Sequence, residues 1–212
     1  MTSTLASRLL DAARGMNAAG LSVGTAGNLS VRRARGFLIT PTGLPFEQCG
    51  ADDMVAMTMG GRSSGVRAPS SEWRIHRDIY RARPEAGAIL HAHSPFATAI
   101  ACHRQGIPAF HYMIARFGGS NVRCAHYATF GTQALSDHAL EALEDRSACL
   151  LANHGMIVFG RDCAHALALG IEFEALCRHY LESMRLGNPA LLSPDEMTEV
   201  LARFDSYGQP PG

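Results

Sequence analysis

The stretch Ala88-Ile89-Leu90-His91-Ala92-His93-Ser94-Pro95 constrains this chain more than any other. An apolar run that ends in two imidazoles two residues apart reads as a buried strand. Side chains alternate between the faces of a strand, so His91 and His93 project to one side and can share one ligand. A second apolar run, Ala148-Cys149-Leu150-Leu151-Ala152-Asn153-His154-Gly155, ends in a third imidazole that a sheet can bring to the same point. Each histidine taken alone reads as a satisfied core residue. As a set, three neutral imidazoles suit a zinc-like divalent ion with coordination positions left open. Glu72 lies one strand crossing before the pair, close enough in the chain to reach such an ion.

The sequence contains no lysine: its 19 basic side chains are all arginine. A lysine Schiff base is therefore excluded, because arginine does not form that imine. Any carbonyl chemistry here calls for a metal instead.

Small-residue turns are the second recurring feature. Gly24-Thr25-Ala26-Gly27-Asn28-Leu29-Ser30 runs into a strand, and its backbone amides, with the Asn28 side chain, can approach an anion. It has neither the lysine of a P-loop nor a dinucleotide fingerprint. Thr40-Pro41-Thr42-Gly43 is a further anion-contacting turn or a structural one. Pro69-Ser70-Ser71-Glu72 opens a helix holding Trp73, His76, Ile79 and Tyr80, where the serines can cap free amides, bind a phosphate, or do both.

With 212 residues, 47% of them hydrophobic, the chain suffices for one sizeable core, and one domain over 1–212 is expected. Zero formal charge provides no global field toward nucleic acid or an anionic membrane. Arg32, Arg33, Arg35 and the row Arg74, Arg77, Arg81 read as solvated faces. No apolar run approaches the roughly 20 residues of a membrane span, and the N-terminus lacks the order of a signal peptide, so a cytoplasmic location is expected. The six cysteines form no C-x-x-C pair and read as buried free thiols.

Helices are expected over Leu5–Ala19, from Pro69 through Tyr80, Pro95–Ala101, Gly131–Leu143, Cys163–Leu186 and Pro194–Phe204. Strands are expected where the Gly24–Val31 loop runs on, through Phe37–Thr40, Asp53–Met59, Ala88–His93, Ile107–Met113 (irregular), Asn121–Tyr127, Leu150–His154 and Met156–Phe159, with a loose tail from Gln209. This mixture predicts a three-layer α/β/α domain around one central mixed, largely antiparallel sheet.

In this order, Gly27-Asn28-Leu29-Ser30, Thr40-Pro41-Thr42-Gly43, Pro69-Ser70-Ser71-Glu72, His91-Ala92-His93 and Asn153-His154-Gly155 resemble the class II aldolase and adducin family, over nearly the whole chain. His111-Tyr112-Met113-Ile114-Ala115, Tyr127-Ala128-Thr129-Phe130-Gly131-Thr132 and the Phe204–Gly208 stretch are most similar to its aldolases of the L-fuculose 1-phosphate type. The resemblance implies a lyase that splits a ketose 1-phosphate, namely L-fuculose 1-phosphate, 5-deoxyribulose 1-phosphate or 5-methylthioribulose 1-phosphate, into dihydroxyacetone phosphate and a short aldehyde. It implies His91, His93 and His154 as ligands of Zn2+, or of Mn2+ or Co2+, with Glu72 on or near the metal as acid/base, its pKa raised toward neutrality. Asn28, Thr42, Gly43, Ser70 and Ser71 would bind phosphate, Tyr112 would be the second proton carrier, and Phe130, Phe204 and Tyr207 would line the aldehyde side. Relatives of this type are cyclic homotetramers with sites between subunits. The same scaffold carries pentose-phosphate 4-epimerases, which have an aspartate at position 72 and a lysine at position 40. It also carries a methylthioribulose-phosphate dehydratase and adducin-like interaction modules that lose metal ligands. Glu72, Thr40 and the full ligand set favour the aldolase.

Overall fold

Strand β5 (Ala88–Ala92) is buried at every residue, with Ala88, Leu90 and Ala92 packed on one face and Ile89 on the other. It therefore needs a neighbour on each edge and a helical layer on each side. The computed structural model, which describes residues 4–206, supplies both. β5 lies between β1 (Asn28–Arg33) and β8 (Gly155–Gly160) in an eight-stranded sheet of order β4-β3-β2-β1-β5-β8-β7-β6. The other strands are β2 (Gly36–Ile39), β3 (Val55–Met57), β4 (Ser63–Ser64), β6 (Cys124–Ala125) and β7 (Ala148–Leu151). Only the β6–β7 pairing is parallel, so the sheet is mixed and largely antiparallel.

One face, carrying Leu29, Val31, Leu90, Leu150 and Val158, is covered by α1 (Leu5–Ala18), α3 (Pro95–Ala101) and α5 (Cys163–Met184), and α6 (Pro194–Ser206) adds Met197 to the same core. The opposite face, carrying Phe37, Ile39, Ile89, Cys149 and Ile157, is covered by α2 (Trp73–Ala82) and α4 (Gln133–Ala142). This is the three-layer arrangement of the sequence pattern. Helix starts follow their caps: the Thr4, Thr132 and Asp162 side chains each accept a backbone N–H of the first turn. α3 is capped from outside its own segment. Glu174 of α5 accepts the Phe96 and Ala97 amides at 2.7 and 2.9 Å and the Ser94 hydroxyl at 2.6 Å, which fixes the chain directly after His93.

Several boundaries differ from the sequence reading. The segment from Asp53 starts as a 3-10 turn, because the Asp53 carboxylate accepts Gly50 N–H, and the strand is confined to Val55–Met57. In place of an irregular strand to Met113, Ile107 makes a single bridge to Val122. The His111 ring then accepts Met113 N–H and starts a 3-10 helix over Tyr112–Phe117. Asn121–Tyr127 contributes only Cys124–Ala125 to the sheet edge. Arg32 is no solvated charge, since its guanidinium donates to the Tyr80, Arg83 and Ala86 carbonyls. Arg77 is likewise paired with Asp78. All six cysteines are unpaired, but Cys102 is exposed and Cys124 half-buried. Among the described residues no helix is long and apolar enough to cross a membrane. Tyr207 and the expected tail from Gln209 lie outside the described residues.

Candidate metal centre and active site

Three strands and one helix start bring Glu72, His91, His93 and His154 to one point. β1 and β8 flank β5, with Asn28 opposite His91 and Met156 opposite Ala92. His154 stands in the tight turn from β7 to β8, so the neighbour that delivers it is β8. Gly155 permits the approach: a Cβ there would stand 2.4 Å from the Ala92 carbonyl oxygen and 3.1 Å from His93 Cδ2. Asn153, at φ 53°, turns the chain into His154 and is held by Arg104, whose Nε donates to Asn153 Oδ1 at 2.7 Å.

The three rings form a propeller, with centroids 4.8–4.9 Å apart and planes inclined by 71–77°. His91 Nδ1 donates to the Met156 carbonyl at 2.9 Å, so Nε2 is the ring atom turned to the centre; against its burial, Glu72 favours a proton there, which a bound cation would replace. His91 Nε2 and His93 Nε2 lie 3.0 Å apart. Glu72 Oε2 is 3.1 Å from His91 Nε2, and Oε1 is 3.4 Å from His154 Nε2. All four donor atoms fall within 4.8 Å of one another. Ligands at about 2.0–2.1 Å from a tetrahedral ion are themselves roughly 3.3 Å apart, so the spacing fits a single divalent cation. The floor is buried at His91 and Glu72 and open at His93.

The electrostatics agree with a cation site. Burial, together with His91, pushes His93 and His154 down to about 4, so both rings are neutral at neutral pH, as ligands of a cation would be. Glu72 Oε1 is buried without a hydrogen-bond partner, an orphaned acceptor that a cation satisfies. The expectation of a raised Glu72 pKa is not met. Burial works upward, but His91, His154 and the Asn28 amide outweigh it, and the carboxyl is held well below its usual range.

A cavity of about 320 Å³ opens above this floor. Glu72, His93 and His154 line its base, and Thr25–Asn28, Pro41–Gly43 and Ser70–Ser71 its polar side. Gly27, at φ 77°, lies against the His91 carbonyl, where a Cβ would stand 2.8 Å from the oxygen. Asn28 is only 4% exposed, and its amide already serves Glu72 and His76. Ser70 is also buried, and its Oγ accepts the Glu72 amide rather than capping deeper into α2. Thr42, Gly43 and Ser71 are exposed at the rim.

The remaining predicted residues divide. Phe130 lines the cavity and is 64% exposed. Tyr112 is exposed, stacks on His111 and does not line it. Phe204 packs on the α1/α5 side of the core, on a helix that contacts the 3-10 helix bearing Tyr112. Sequence reasoning missed Tyr127 and Asn153 as lining residues and His76 as a partner of Asn28. For Asn153 the signal was its place before His-Gly, and for Tyr127 its place at the head of the Tyr127–Thr132 motif; His76 gave none beyond helical periodicity.

The class II aldolase and adducin N-terminal domain model matches residues 7–181. The chain is 50% identical over 200 residues to the Rhodospirillum rubrum protein named 5-methylthioribulose-1-phosphate/5-deoxyribulose-1-phosphate aldolase, covering 94% of this chain and 90% of that one. It is 43% identical over 205 residues to L-fuculose phosphate aldolase of Escherichia coli, with 96% and 95% covered. Among solved structures, an L-fuculose 1-phosphate aldolase superposes with a TM-score of 0.92 at 37% identity, covering 97% of this chain and 98% of that one.

Proposed function

The chain belongs to the class II aldolase and adducin family, and we propose that it is a metal-dependent lyase. It cleaves a ketose 1-phosphate to dihydroxyacetone phosphate and a short aldehyde. The observation that carries this reading is the convergence of three imidazoles and Glu72 at the base of a cavity walled by amide-rich turns. His91, His93 and His154 would hold a divalent ion, for which we favour zinc over manganese or cobalt because three imidazoles suit it. When bound, that ion supplies the Lewis acid that draws electrons from the substrate carbonyl.

The side chains account for the rest. Asn28, Thr42, Gly43, Ser70 and Ser71 hold the phosphate end, with Thr42, Gly43 and Ser71 offering groups at the rim and Asn28 and Ser70 buried behind them. Tyr112 takes the C4 hydroxyl proton, the C3–C4 bond breaks, and its electrons stay with C3. Glu72 returns a proton to that carbon; in the condensation direction the same carboxylate accepts it. A carboxyl held low is charged at neutral pH and so open to accept a proton, and once protonated it is a strong acid. Tyr112 lies outside its own subunit's cavity, which supports a homotetramer in which Tyr112, and with it Phe204 and Tyr207, serves a neighbour's site. Six unpaired thiols fit a reducing compartment such as the cytoplasm.

For the substrate we favour 5-deoxyribulose 1-phosphate or 5-methylthioribulose 1-phosphate over L-fuculose 1-phosphate. The relative at 50% identity bears the first two names. The rim aromatics Tyr127 and Phe130 also suit an aldehyde with an apolar end. A single methyl-sized difference discriminates by only ~1–3 kcal/mol, so turnover of more than one is expected. The test is release of dihydroxyacetone phosphate from these three substrates with and without a chelator. Chelator-sensitive release from at least one supports the reading. No release from any by metal-loaded protein overturns it in favour of epimerase or dehydratase chemistry.

A further inference from the structure

Five buried side chains run in an unbroken line from the active-site carboxylate into the layer between sheet and helix. Asn28 Nδ2 donates to Glu72 Oε2 at 3.0 Å, and Asn28 Oδ1 meets His76 Nε2 at 2.5 Å. His76 Nδ1 lies 2.7 Å from Ser30 Oγ, which lies 2.8 Å from Tyr80 Oη. None of the five is more than 6% exposed. Two periodicities build the line. Glu72, His76 and Tyr80 succeed one another every four residues along α2, and Asn28 and Ser30 alternate along β1, so the links pass from helix to strand and back.

The line has a polarity. A carboxylate only accepts, so the Asn28 amide must turn Nδ2 toward Glu72 and Oδ1 toward His76. His76 must then donate from Nε2. A neutral imidazole has one lone pair left, at Nδ1, so Ser30 donates to it and Tyr80 donates to Ser30. Burial and the nearby His91 push His76 down to about 3, which keeps it neutral as this pattern requires. Every donor points toward Glu72.

We propose that His76 is a positioning residue for the reaction: by anchoring the Asn28 amide through its Oδ1 it holds the Glu72 carboxylate at the base of the cavity. Without His76 the buried Asn28 Oδ1 loses its donor, so the amide shifts in search of another and its Nδ2 no longer fixes the Glu72 carboxylate. The three imidazoles make no hydrogen bond to His76, so the ion they would hold is retained. This inference rests on the acid/base reading of Glu72.

Neutron diffraction from deuterated, zinc-loaded protein tests the polarity without any assay of turnover. The expected map shows deuterium on His76 Nε2, none on Nδ1, and Asn28 Nδ2 toward Glu72. Deuterium on Nδ1, or a turned amide, overturns the proposal. Kinetics supply the second arm. His76→Phe keeps a ring but no nitrogen, and should lower kcat by about 10–100-fold with KM and zinc content near the parent values. His76→Gln, whose amide can donate to Asn28 Oδ1, should recover much of that loss. An unchanged kcat in His76→Phe, a loss confined to KM or zinc content, or no gain from Gln over Phe would each overturn it. If Glu72→Gln cleaves normally, the acid/base reading fails, while the neutron map still reports on the line itself.

Discussion

Glu72 Oε2 and His91 Nε2 stand 3.1 Å apart at the buried end of the cavity, and that contact holds the carboxylate in its charged form. A neutral amide at position 72 keeps the shape and the Asn28 contact but cannot carry the C3 proton. Glu72→Gln is therefore expected to retain its metal and lose roughly 10²–10⁴-fold in kcat, the range of a general acid or base. Metal content by elemental analysis and turnover on the favoured ketose 1-phosphate check it. An unimpaired variant removes Glu72 from the proton transfer.

His93 is the exposed member of the cluster and makes its nearest polar contact with another ligand nitrogen, His91 Nε2. Its removal opens the site without disturbing the core. His93→Ala should fold with near-parent stability and lose both bound metal and cleavage, by about 100-fold or more in metal affinity. Full metal content with normal turnover ends the assignment.

The architecture was legible where burial follows a short period. Strand β5, the helix after Pro95 and the long α5 all lie close to where alternation and helical spacing put them. The meeting of His91 with His93 could be read from an i, i+2 spacing, because neighbours on one strand face are set by local geometry. What brought His154 and Glu72 to them is tertiary, and the sequence showed only that each closed or preceded a regular segment. Edge segments were overextended. β3 and β6 pair over three and two residues: the 3-10 turn ending at Asp53 takes the first segment out of the ladder, and Val122 bridges Ile107 instead of joining the sheet. The role of His76 was hidden because a histidine in a helix interior has the same periodicity whether it packs or links Asn28 to Ser30.

Gly155 gives a prediction about assembly of the cluster. A methyl group there meets Ala92 O at 2.4 Å, a distance that backbone must give way to. Gly155→Ala should cost about 1–3 kcal/mol of stability through overpacking. Because β8 then moves away from the end of β5, it should also weaken metal binding by about tenfold or more. Urea unfolding of the metal-free protein and a metal titration separate the two effects. Loss of stability with unchanged metal affinity would show that the His93–His154 spacing does not depend on this contact.

Asp78 ties the helix that carries Glu72 and His76 to α4. Its carboxylate takes Arg77 at 2.7 and 2.9 Å, Gln133 at 2.8 Å and Ser136 at 2.8 Å, and is 5% exposed. Burial works to raise its pKa, but these donors and the Arg77 charge override it, so the folded value lies below the ordinary one. A carboxyl depressed on folding contributes stability that is complete above its unfolded pKa of about 3.9 and is lost as pH falls from there through the folded value. Asp78→Asn leaves Arg77 and its neighbours with a neutral acceptor, and should destabilise the protein by about 3 kcal/mol at pH 7, at the low end for a broken buried pair. The gap between variant and parent should close as the pH is taken below about 4, because the parent's own carboxyl is then protonated. Urea midpoints of both proteins between pH 7 and pH 3 measure this. A gap that stays constant over that range would mean that the Asp78 charge does not stabilise the seam between α2 and α4.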